Sequence, residues 1–186
     1  MSTIGVTGFV GGLLIPVTIL CSVAFGDQGP ALINAAKDGD GKQVQDLLDK
    51  GTDVDVTDDS GVTPLMAAAV NGHIPVVKLL LDANADVDAK AANGVSILTV
   101  VCILGNTEIV KLLLENGADI EITDSSGVTA LMVATHEGHI DVVKLLLEEG
   151  ADVNAKSKDG DTALKAATVK GHQEILEILK EHGAKD

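Results

Sequence analysis

His73, His136, His139, His172 and His182, with Cys21 and Cys102, are where metal-ligand or nucleophilic chemistry would have to begin in this chain. His136 and His139 lie in the stretch HEGH, three residues apart. A helical zinc site of the HExxH kind places its two histidines four apart, with the glutamate left to activate water. Here the spacing is wrong and Gly138, a residue that ends helices, falls between them. Cys102 has no second cysteine and no base near it in sequence, so it is expected to be packing. Two cysteines make no disulfide framework. Neither a phosphate loop nor a G-x-S-x-G elbow occurs. No catalysis, no metal, no cofactor and no small-molecule substrate are expected.

Composition narrows the partner instead. The chain has 186 residues and a formal net charge of -15. Such an acidic balance disfavours nucleic acid, whose phosphates demand a basic patch, and fits basic or apolar protein partners. Two Phe, no Trp and no Tyr leave a core of Ala, Val, Leu and Ile, suited to thin, regular layers.

The elements follow from a period of 33. Gly61, Gly94, Gly127 and Gly160 open GVTPLM, GVSILT, GVTALM and GDTALK. A second register runs through Gly39-Asp40, Gly72-His73, Gly105-Asn106, Gly138-His139 and Gly171-His172, and a third through Gly51, Asn84, Gly117, Gly150 and Gly183. Three phase-locked registers mark a repeat architecture. In each unit Thr63, Ser96, Thr129 or Thr162 can cap a first helix, and Pro64 is tolerated in its first turn. Ala67, Ala68 and Ala69 let neighbouring helices approach. Glycines such as Gly72 stop that helix. The runs VVKLLL, IVKLLL and ILEILK form a second helix, with Lys78, Lys111 and Lys144 toward water.

These units, DVTDDSGVTPLMAAAVNGHIPVVKLLLDANA above all, resemble the ankyrin repeat over about residues 29–186. The resemblance implies an all-α solenoid of helix–turn–helix units with β-hairpin-like loops on one edge, and partner binding on the concave side. Residues 27–57 read as an N-terminal capping repeat, 58–90, 91–123 and 124–156 as full repeats, and 157–186 as a C-terminal cap. The caps carry polar replacements, Gln43 and Asp46 at one end and Glu177 and Lys180 at the other, as a solenoid's ends require. One departure stands out: the family's TPLH histidine is replaced by Met66, Thr99, Met132 and Lys165, so its buried hydrogen bond is expected to be missing.

Residues 1–26 carry no charged side chain. As a helix, Ile4 to Phe25 would span roughly 33 Å, enough for a hydrocarbon core of about 30 Å. The expectation is a single-pass membrane helix in contact with lipid through residues 4–25, with Gly5, Gly8 and Gly12 forming a packing face. The domain would then be an accessory, linker or assembly subunit beside membrane-embedded partner subunits; by architecture, an energy-transducing membrane such as the thylakoid or mitochondrial one would suit it. The alternative is a cleaved leader, residues 1–24, on a secreted or periplasmic protein that binds or inhibits a partner. The absent basic n-region speaks against it, and Ser22-Val23-Ala24 before the cut speaks for it.

The stretch SILTVVCILGN, residues 96–106, supplies the candidate site. In register, Leu98 and Val101 fall on core positions, whereas Val100, Ile103 and Leu104 fall on the positions that the resemblance turns toward the concave face. Their counterparts there are Val70 and Asn71 in one neighbour, and Val133, His136 and Glu137 in the other. The third unit alone is apolar at all three places. Its hairpin tip, with Ala91 and Ala92, lacks the acids of the other tips, Asp58, Asp59 and Asp124, which are expected to be solvated or to face a basic partner. A central apolar patch for a protein partner is the expectation.

Overall fold

The computed structural model describes residues 29–185, together with Phe9–Val10 and Leu13–Leu14. Among the described residues the long elements are ten helices in five pairs. The pairs are α1 (Gly29–Asp38) with α2 (Gly41–Asp49), α3 (Pro64–Val70) with α4 (Ile74–Asp82), and α5 (Ile97–Leu104) with α6 (Thr107–Glu115). They continue as α7 (Ala130–Glu137) with α8 (Ile140–Glu148), and α9 (Ala163–Lys170) with α10 (Gln173–Glu181). First helices pack on first helices, α1 on α3, α5, α7 and α9 in turn, and second helices stack likewise.

The caps form where the threonine step places them. The hydroxyls of Thr63, Ser96, Thr129 and Thr162 accept from the backbone N–H groups of Met66, Thr99, Met132 and Lys165 at 3.2–3.3 Å. Each satisfies one of the donors a helix start leaves open. The core is a ladder of small and branched side chains: Leu65, Leu98, Leu131 and Leu164 in one row, Ala68, Val101, Ala134 and Ala167 in the next, all at most 4% exposed. The caps' polar replacements Gln43, Asp46, Glu177 and Lys180 are exposed.

Loops are locked by carboxylates in the same period. Asp55, Asp88 and Glu121 each accept, at 2.8–2.9 Å, from the backbone N–H of the residue 31 further on, Asp86, Asp119 and Asp152. Asn154 does the same for Lys185. Part of the negative charge is therefore structural, tying each unit's loop to the next.

Three expectations need correction. The Thr99 position does make a buried hydrogen bond: its hydroxyl meets that of Ser96 at 3.0 Å. A threonine hydroxyl one turn above the capping serine reaches what a methionine cannot. At the chain's start, Phe9–Val10 pairs antiparallel with Leu13–Leu14, an extended pairing that no continuous helix contains. Finally, no helix among the described residues is long and apolar enough to cross a membrane, so the single-pass membrane assignment is not supported. The longest, α1, has 10 residues and reaches only about 15 Å, half a hydrocarbon core. The remainder of the apolar stretch, including Cys21, the Gly5, Gly8 and Gly12 face and the leader boundary after Ala24, lies outside the described residues.

Candidate functional site

The candidate face is made by the last turns of α3, α5, α7 and α9. All four large apolar side chains left exposed among the described residues sit there: Val70 at 47%, Ile103 at 43%, Leu104 at 50% and Val169 at 76%. Helix period explains the placement. Ile97, Leu98, Val101 and Cys102 occupy the buried stripe of α5, and Ile103 and Leu104 follow it onto the open side of the final turn.

The face is divided. Val100, half-buried, lines a groove of about 370 Å³ with Met66, Val70, Asn71 and Ala91. Ile103 lines a second groove of about 600 Å³ with Met132, Val133, His136, Glu137 and Val169. Leu104 lies on neither wall. The oily helix is therefore a ridge between two grooves, which spacing along the sequence did not reveal. Val169 also went unselected as a site residue, although it stands 66 residues after Ile103, two whole repeats. The signal was the period itself, hidden because Val169 belongs to the polar capping unit.

Several candidate polar groups already have local duties. The side-chain amide of Asn71 donates to the Ala67 carbonyl at 2.8 Å. One carboxylate oxygen of Asp58 accepts from the N–H groups of Ser60 and Val62, and Asp124 does likewise for Ser126 and Val128. These acids build their own hairpin turns. Ala91 cannot, and Asn93 takes over part of the task by accepting from Val95 at 3.1 Å. The tip of the third unit also passes close to its neighbour: Ala92 N–H donates to the Ser60 carbonyl, and a Cβ on Gly61 would lie 2.8 Å from that nitrogen. His136 Nδ1 meets Glu137 Oε1 at 2.9 Å, and that hydrogen bond holds the Glu137 carboxyl below its usual range. Lys165 pairs with Asp161, mainly through a hydrogen bond that raises the Lys165 ammonium's value.

The other histidines are clamps between units. His73 Nε2 donates to the Lys37 carbonyl at 2.9 Å, His139 to Ile103 at 2.8 Å and His172 to His136 at 3.1 Å. Each satisfies an orphan carbonyl at the end of the preceding unit's first helix. Asn106, in the same register, turns inward instead and caps α6 through Ile109 N–H at 3.2 Å. His182 bonds the Ile178 carbonyl of its own helix. Cys102 is fully buried, and burial pushes its thiol up to about 12. Among the described residues no three His, Cys, Asp or Glu side chains gather as a metal site.

A family model for ankyrin repeats (3 copies) matches residues 32–124 and 119–186. The chain belongs to the ankyrin-repeat family. Ankyrin repeats are protein–protein interaction modules and are generally non-catalytic, so the partners this fold implies are proteins. No curated protein matches the chain.

Proposed function

We propose that this protein captures a protein partner on its concave ankyrin face, with the contact centred on Val100, Ile103 and Leu104. Val70, Asn71, Val133, His136 and Glu137 form the surround, and the hairpin tips Asp58, Asp59, Ala91, Ala92 and Asp124 border it. One observation carries this reading: among the described residues, every large apolar side chain exposed to water lies on the last turn of a first helix. Random exposure would scatter such residues over the surface; grouping them along one edge is what an interaction site requires. Burying Ile103 and Leu104 against a partner would contribute on the order of 1–2 kcal/mol each.

The test is the double substitution Ile103→Glu and Leu104→Glu. Affinity purification followed by mass spectrometry should recover partner proteins with the wild-type chain and lose them with the variant. Thermal unfolding should shift little, by an amount equivalent to about 1 kcal/mol or less, since both side chains are already half in water. Partners retained by a folded double variant would refute the reading.

A further inference from the structure

Three of the four junctions between units are clamped at the ends of their first helices, and one is not. The rings of His73, His139 and His172 close the first, third and fourth, bonding the carbonyls of Lys37, Ile103 and His136. At the second junction the same register holds Asn106, whose side chain caps its own helix α6. The carbonyl that a ring would reach there is that of Val70, and it accepts no hydrogen bond among the described residues. The packing is missing as well. A Cβ on Gly39, Gly105 or Gly138 would lie 2.5–2.8 Å from the clamping ring, whereas one on Gly72 meets its nearest atom at 3.8 Å.

The opposite edge of this junction is tight. Ala92 N–H donates to the Ser60 carbonyl at 2.9 Å, and the backbones are so close that Gly61 has no room for a side chain. Between the second helices Lys78 and Glu108 meet at 3.5 Å, but both are more than half exposed, and such a pair adds little. Carboxylate or amide ties join the loops at every step alike and so do not distinguish the junctions. The second junction is therefore fixed along its hairpin edge and unclamped at its helix ends. In a stack held by nearest-neighbour contacts, motion follows the edge that lacks its tie.

We infer that the second junction is a hinge. The first two units tilt as one body against the last three, pivoting on the contact of Ala92 with Ser60 and parting at the last turns of α3 and α5. Leu65 and Leu98 are buried at this junction, so the layers tilt without separating. The two grooves then behave differently. The groove at Val100 has Met66, Val70 and Asn71 on the other side of the hinge, so it widens and narrows with the tilt. The groove at Ile103 lies wholly within the last three units, whose junctions are clamped, and keeps its shape. The hinge does not depend on what occupies either groove.

Relaxation-dispersion NMR of the full chain, read at backbone amides and at Ile, Leu and Val methyl groups, tests this on the μs–ms timescale of such tilts. Exchange is expected at Val70, at Val100 and in the last turns of α3 and α5, and not at Val133 or Val169. Asn106→His supplies the missing ring and should cut the open population roughly fivefold, the effect of one net hydrogen bond. That change is read at α3 and α5, away from the start of α6, where the lost cap acts. His139→Ala is the converse and should bring exchange to the third junction, at Ile103 and Val133. Flat dispersion profiles at Val70 and Val100 in the wild-type chain overturn the hinge, whatever either variant does to folding. Exchange of equal size at all four junctions overturns it too, as does exchange that a folded Asn106→His variant leaves unchanged.

Discussion

Helices α5 and α7 sit side by side with nearly the same backbone and almost opposite surfaces. Each begins at a hydroxyl cap, Ser96 or Thr129, and ends at a left-handed glycine, Gly105 or Gly138. Leu98 and Val101 in one match Leu131 and Ala134 in the other, all fully or almost fully buried. On the last turn they part: Ile103 and Leu104 are bare apolar side chains, while His136 and Glu137 bond each other. The buried stripe must fit two neighbours and so is held to apolar residues of suitable size; the side chains of the last turn are about half exposed and so less constrained by neighbours.

The largest expected effect breaks what the two helices share, the glycine beneath the next unit's histidine. A Cβ at Gly105 (φ 71°) would lie 2.5 Å from the His139 ring, whereas at Gly72 (φ 73°) the nearest atom is Asn106 Nδ2 at 3.8 Å. Gly72→Ala should therefore cost only the left-handed strain, about 1 kcal/mol, and Gly105→Ala about 3 kcal/mol, because the clamp must also move. Urea denaturation of both variants measures the gap. Equal losses would mean the ring yields freely.

Removing the clamp itself comes next. His139→Ala should cost on the order of 1–2 kcal/mol, leaving the Ile103 carbonyl unpaired across the junction. Asn106→His should be near neutral, since a new clamp to α3 offsets the lost cap on α6. Thermal unfolding of the two variants decides it.

A smaller effect distinguishes the buried sides. Thr135 and Cys102 occupy the same register, and Thr135 Oγ1 is buried with no hydrogen-bond partner among the described residues. Thr135→Val keeps the shape and removes that hydroxyl, so a stabilisation of about 1 kcal/mol is expected in chemical denaturation. Cys102 has its own signature, visible only at high pH. Its thiol is raised from 9.0 to about 12 by burial. The unfolded chain releases that proton above about 9 while the native chain holds it, so stability falls as pH rises from about 9 toward 12. Cys102→Ala should lose that dependence, compared by urea denaturation at pH 8 and pH 10.5.

The sequence by itself determined the period, the helix pairs, the capping hydroxyls and the glycine stops, because each depends on residues three or four apart and is repeated unit after unit. The ankyrin resemblance, laid over that period, also set Ile103 and Leu104 on the concave face rather than in the core. Contacts between units were decided only in the tertiary structure. His73, His139 and His172 became clamps because a neighbour's last carbonyl lies within reach, a distance set by how helices stack. Asp58 and Asp124, which look like free acids in a row of letters, are spent on their own turns once the chain folds back on itself. The division of the oily segment into a wall of one groove at Val100 and of another at Ile103 arises the same way. A groove is space between elements, and no single helix contains it.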